Sequence, residues 1–161
     1  MSDQLATQQT STDRPNATPW PPLLYLAAFA GAYVLEQIAP FWPFGEWLRP
    51  WAGILAAVGF LIAAGGLNHF QFIGTPVNPT GQATQLATEG IYRFTRNPMY
   101  LAAVIMLVGL SGAFRSGWLL IAAVAVAYGL QRLAIEPEEA YLSRRFGNAY
   151  RDYCANVRRW L

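Results

Sequence analysis

The chain has 161 residues, of which 54% are hydrophobic and only 12% charged, with a formal net charge of +2 at pH 7. Soluble domains carry roughly 25% charged residues, so the composition points to one integral membrane domain. The small net charge without a basic stripe argues against nucleic acid as a partner, and one cysteine, Cys154, excludes an intrachain disulfide or a multi-cysteine metal site.

Residues 1–19 are polar, rich in Ser, Thr, Gln and Pro, and carry no apolar periodicity, which predicts a disordered cytoplasmic tail. They lack the basic start of a signal peptide, and no small-residue cleavage site ends the apolar stretch that follows, so the first span is expected to stay in the mature protein. A membrane core of about 30 Å needs roughly 20 helical residues. Residues 21–39 form the first candidate span, with Glu36 near its outer end as an interfacial side chain. Residues 51–70 form the second, and His69 at its end lacks the neighbours that would make it a metal ligand.

From His69 to Asn97 the chain holds Gly74, Pro76, Pro79 and Gly81 and no long apolar run, so it reads as a loop with an interfacial turn or short helix. The third span is residues 98–114 and the fourth 117–135, joined tightly enough to be an antiparallel hairpin. Pro22, Pro50 and Pro98 each suit a first helical turn, where the missing N–H costs nothing. Trp20, Trp42, Trp47, Trp51 and Trp118 fall at predicted ends, as an aromatic belt requires. Helix is expected to continue beyond the fourth span, kinked at Pro137, lifting Glu138 and Glu139 a turn above the bilayer. Arg93, Arg96, Arg144, Arg145, Arg151, Arg158 and Arg159 lie on one predicted side against Arg49 and Arg115 on the other. The excess of positive charge places both termini, the middle loop and the tail in the cytoplasm, as in a bacterial inner-membrane protein.

Two polar segments therefore share a face. In Arg96-Asn-Pro-Met-Tyr100, proline opens a helix whose N-terminal N–H groups and positive dipole end, beside Arg96, suit an anionic group. Read alone, the same residues are an ordinary proline-started helix with arginine and tyrosine at the interface. Glu138 and Glu139 point about 100° apart on a helix, so they are not a facing dyad. One can face the bundle and bind a cation, accept hydrogen bonds from hydroxyls or receive a proton, while the other faces solvent or an arginine. Read alone, they are a solvated helix continuation. No Gly-rich phosphate loop, Ser-His-Asp order or metal motif occurs in the sequence.

Gly74-Thr75, Gly90-Ile-Tyr92, Arg96-Asn-Pro-Met-Tyr100, the tight hairpin, and Glu138-Glu-x-x-Leu142 followed by Phe146-Gly147, Tyr150, Tyr153 and Arg158-Arg-Trp160 together resemble the membrane-integral superfamily of isoprenylcysteine carboxyl methyltransferases and phospholipid N-methyltransferases. The resemblance covers roughly residues 51–161. It implies S-adenosylmethionine as methyl donor, with Tyr92, Arg96, Asn97, Pro98, Tyr100, Glu138, Glu139 and Tyr141 as donor-binding residues and Arg96 and Glu139 as the catalytic pair. In that frame the helix N-terminus with Arg96 takes the donor carboxylate, Glu138 or Glu139 its cationic or hydroxyl groups, and Tyr92, Tyr100 or Tyr141 the adenine or sulfonium face.

The expectation is thus an all-α membrane methyltransferase domain over residues 20–161, with four spans, a cytoplasmic loop and a C-terminal helical extension. Its acceptor would be a lipophilic or amphipathic molecule entering from the membrane lipids. Asn97 stands where the isoprenylcysteine enzymes carry histidine, and Gly65-Gly66 replaces the Gly-x-Gly associated with phospholipid enzymes, so the acceptor is left open. A phospholipid amine methyltransferase is the rival within the enzyme class, and a non-catalytic scaffold retaining the fold is the rival outside it.

Overall fold

Proline sets where three of the long helices begin. The computed structural model describes residues 20–72 and 85–161. Helices α1 (Trp20–Ile38), α2 (Arg49–Phe72) and α3 (Pro98–Phe114) carry Pro22, Pro50 and Pro98 in their first turns, as expected. α3 leads through a short link into α4 (Gly117–Leu130), followed without a break by a π-helical stretch, Gln131–Ile135, then α5 (Glu136–Phe146) and α6 (Asn148–Asn156). Short 3₁₀ turns, Glu46–Leu48 and Gly90–Arg93, precede α2 and α3, the second being the short helix expected in the middle segment. No strand occurs among the described residues.

The fourth helix does run on through Pro137, and its irregularity takes the form of the π-helical turn just before that residue. A proline ring collides with the carbonyl four residues earlier in a regular α-helix, and a widened turn relieves the collision. An inserted residue also rotates everything beyond it. The faces that Glu138 and Glu139 present are thereby set by this stretch as well as by their sequence spacing.

Small residues bring the helices together. α2 lies so close along α3 that a Cβ on Gly109 would sit 2.5 Å from the Ala56 amide nitrogen and one on Gly59 would sit 2.9 Å from the Ala102 carbonyl oxygen. α1 packs on α4, and Ala28, Ala32, Leu107, Leu119, Ala123, Val126 and Leu130 form the buried core among α1, α3 and α4. Large apolar side chains such as Leu26, Tyr33, Phe60, Leu61 and Val124 point outward, the reverse of a soluble domain.

Two helical stretches, Glu46–Asn68 and Gly117–Phe146, are long and apolar enough to cross a membrane, and Pro98–Phe114 is apolar but shorter. The all-helical expectation therefore holds, and all four expected span helices are present, two of them meeting the length and apolarity a crossing requires. Residues 1–19, expected to be a disordered tail, lie outside the described residues, as do Gly74, Thr75, Pro76, Pro79 and Gly81 and the side chain of His69.

At the end of the bundle where α1 finishes, Glu36 is a clamp. Its carboxylate accepts from the Ser116 hydroxyl at 2.6 Å and from the Phe41 amide at 3.1 Å. Ser116 in turn caps α4 by accepting from the Leu119 amide, Gly117 donates to the Phe41 carbonyl at 2.6 Å, and the Trp118 indole donates to the Ala39 carbonyl at 2.7 Å. The α1–α4 connection is thus tied at the end opposite the two polar segments.

Candidate functional site

Three elements meet at the other end: the head of α3, the first turn of α5 and the last residues of the chain. Asn97 occupies the N-cap position of α3 but makes no side-chain cap there. Its Nδ2 donates instead to the Arg159 carbonyl at 3.1 Å, joined by the Thr95 hydroxyl at 3.2 Å, while the Arg96 amide donates to the Arg158 carbonyl at 3.0 Å. Asn97, Thr95 and Pro98 are all buried. The first turn of α3 is held rigidly without its amides being consumed by the usual cap.

The adjacent glutamates take different partners, as two side chains about 100° apart on a helix should. Glu139 accepts a two-pronged contact from Arg159, Nε to Oε1 at 3.1 Å and Nη2 to Oε2 at 2.7 Å, and Arg96 Nη1 approaches the shared Oε1 at 3.4 Å. Glu138 accepts from the Tyr100 hydroxyl at 3.3 Å. Two guanidinium groups and one carboxylate leave the first cluster with one net positive charge. Glu138, met by a neutral phenol, has no countercharge, and burial holds its carboxyl above the usual carboxylate range, so a cation beside it would favour its ionised form. The two clusters sit side by side through consecutive residues of α5.

Arg96 Nη1 also meets the Cys154 sulfur on α6, and Arg96 Nε is buried without a hydrogen-bond partner among the described residues. The same is true of the Tyr141 hydroxyl, on a side chain only 3% exposed. Unmet buried donors of this kind are costly and mark places where a polar group is expected to be received. Tyr92 is buried on the 3₁₀ turn, where the Tyr153 hydroxyl donates to its carbonyl at 2.7 Å. Burial, with the charge of Glu138 second, pushes the Tyr92 phenol well above its ordinary pKa; burial likewise raises Tyr150, and raises Tyr153 to about 12. These phenols are neutral hydrogen-bonding groups at physiological pH.

The structure thus brings together Arg96, Asn97, Pro98, Tyr100, Glu138 and Glu139, with Tyr92 close by; Arg93, Arg144 and Arg145 have exposed side chains. An open groove of about 460 Å³, lined in part by Thr88, Arg93, Asp152 and Tyr153, does not include the charged clusters. Thr95 and Gln131 were given no part by the sequence, Cys154 entered only as a lone cysteine, and Arg159 only through the charge bias and the Arg158-Arg-Trp160 segment, with no role in the site. Gln131, at the start of the π-helical turn, accepts from the Trp160 indole at 3.2 Å. The one available signal for Arg159 was charge balance: two adjacent glutamates facing a single arginine invite a second cation.

A family model described as phospholipid methyltransferase matches residues 48–149. The match takes in Tyr92, Arg96, Tyr100, Glu138 and Glu139, and leaves α1 and Arg159 outside. No curated protein and no solved structure matches the chain.

Proposed function

The chain belongs to the phospholipid methyltransferase family, and from that premise we propose that it is a four-span membrane enzyme transferring a methyl group from S-adenosylmethionine to a lipophilic or amphipathic acceptor. The observation that carries this reading is the pair of opposite charges built on neighbouring residues, the Arg96–Glu139–Arg159 cluster beside Glu138 with Tyr100. The amino-acid end of the donor is a carboxylate next to an ammonium. The residues fit it: Arg96 and the uncapped first turn of α3 receive the carboxylate, and Glu138 receives the ammonium or a ribose hydroxyl. The unmet Arg96 Nε and Tyr141 hydroxyl are donors for the remaining polar atoms.

When bound, the donor supplies an electrophilic methyl group on a sulfonium. The chain's own contribution is alignment and exclusion of water. Arg96 and Glu138 fix one end, and the buried Tyr92 and half-buried Tyr100 line the approach with ring faces suited to a cation. Glu139, held by two guanidinium groups, orients Arg96. A carboxylate or thiolate acceptor needs no base; for an amine acceptor, Glu138 is the carboxylate whose only partner among the described side chains is a neutral hydroxyl, and it is placed to take the proton.

In this reading the four spans leave both termini on one side, the arginine bias makes that side cytoplasmic, and the site there is reached sideways from the bilayer. A second reading, an amine-bearing phospholipid as acceptor, is favoured by the family itself. The deciding experiment is equilibrium binding of S-adenosylmethionine and S-adenosylhomocysteine to purified protein, followed by transfer of labelled methyl to phosphatidylethanolamine, prenylcysteine and thiol acceptors. Binding with transfer to one class names the reaction. A folded protein that binds neither nucleoside is a scaffold retaining the fold.

A further inference from the structure

α6 ends at Asn156, and Val157 turns the chain into extended backbone, φ −125° and ψ 130°. The last residues then run back over the site. In three consecutive steps the Arg158 carbonyl takes the Arg96 amide, the Arg159 carbonyl takes Thr95 and Asn97, and the Trp160 indole reaches Gln131. The Arg159 side chain meanwhile grips Glu139 with two parallel contacts. One residue therefore fastens the head of α3 to the first turn of α5 through both its backbone and its side chain.

We infer that Arg159 is a positioning residue for the donor's carboxylate subsite, acting through Glu139 to hold Arg96 open toward the head of α3. This rests on the donor reading above. Arg96 touches Glu139 at one point, 3.4 Å, because Arg159 already occupies the carboxylate with the better geometry. Without Arg159, the Glu139 carboxylate turns to its remaining cation, Arg96. The cluster's net charge falls from one positive to zero, and Arg96 is drawn away from the amides at the head of α3. Asn97 keeps its Nδ2 bond, because that bond goes to a backbone carbonyl which a substitution leaves in place. The consequence is selective: a ligand with a carboxylate loses affinity, and a nucleoside without one does not.

The test compares S-adenosylhomocysteine with 5′-methylthioadenosine, which lacks the amino-acid end, by equilibrium binding to the full-length protein in lipid nanodiscs. Arg159→Ala is expected to weaken S-adenosylhomocysteine on the order of tenfold and to leave 5′-methylthioadenosine within about twofold. Arg159→Lys, which keeps the charge and loses the fork, should fall between. The Glu139→Ala, Arg159→Ala double variant should bind no worse than Glu139→Ala alone, since Arg159 acts through Glu139. Equal weakening of both ligands, or additive losses in the double variant, would overturn the inference, as would unchanged binding in Arg159→Ala; should that variant fail to fold, Arg159→Lys carries the same comparison. Wild-type protein that binds neither ligand overturns the donor reading itself, a result distinct from any of these.

Discussion

The Tyr100 hydroxyl donates to Glu138 Oε2 at 3.3 Å and so joins the first turn of α3 to the first turn of α5. Among the described residues Glu138 has no ion pair, whereas Glu139 beside it has two, which makes Glu138 the acidic group with electrostatic capacity left for a cation.

Glu138→Gln keeps the shape and the contact with Tyr100 but removes the charge. Affinity for S-adenosylhomocysteine should fall roughly tenfold to a hundredfold, the range for losing a hydrogen bond to a charged group. Tyr100→Phe keeps the ring and loses the neutral donor, a smaller effect of about 0.5–1.5 kcal/mol. Titration calorimetry on both variants checks the order, and a larger loss in Tyr100→Phe than in Glu138→Gln would remove Glu138 from the site.

Glu139→Ala acts differently, because it leaves Arg96 and Arg159 facing one another without their shared carboxylate. Donor affinity should drop and the fold should weaken by about 1–3 kcal/mol, an amount limited by the partial exposure of Arg159. Thermal unfolding of the purified variant, read beside binding, separates the two effects. Unchanged binding in a folded Glu139→Ala protein would detach the glutamate from the donor altogether.

The helix bounds were legible because proline placement and apolar runs are local: α3 begins at Pro98 and ends at Phe114, as the sequence alone indicates. The pairing of the two polar segments was legible too, since positive charge and hairpin connectivity put them on one face. The role of Arg159 was not. Its partners Thr95, Asn97 and Glu139 are set by where an extended tail returns after α6, and no periodicity encodes a non-local return of that kind. Nor was the π-helical turn at Gln131–Ile135, because a proline in a helix predicts a disturbance without choosing between a kink and a widened turn. Glu36 reads from sequence as an interfacial side chain; only the approach of Ser116 and Phe41 shows it to be a clamp.

That clamp gives a control at the far end of the bundle. Glu36→Ala removes the acceptor for the Ser116 hydroxyl and the Phe41 amide and should cost about 1–3 kcal/mol of stability. Donor affinity measured below the unfolding range should be unchanged, since the clamp touches none of the residues around Arg96. A loss of affinity without a loss of stability would mean the two ends are coupled through α1 or α4.

Packing between α2 and α3 supplies the last expectation. A Cβ at Gly109 would lie 2.5 Å from the Ala56 amide nitrogen and 2.9 Å from the Ala52 carbonyl oxygen, and backbone cannot step aside as a flexible side chain can. Gly109→Ala must therefore push the two helices apart, at about 1–3 kcal/mol for an overpacked contact. Gly31 on α1 has nothing within 4 Å of the same position, so Gly31→Ala meets no obstacle and gains the helix preference of alanine. Because Pro98 and Tyr100 ride at the head of α3, the displacement in Gly109→Ala should also reach the site, lowering donor affinity along with the unfolding temperature. Thermal unfolding and S-adenosylhomocysteine binding of the two alanine variants, measured side by side, test this; equal stability in both would show that α2 and α3 are not in backbone contact at Gly109.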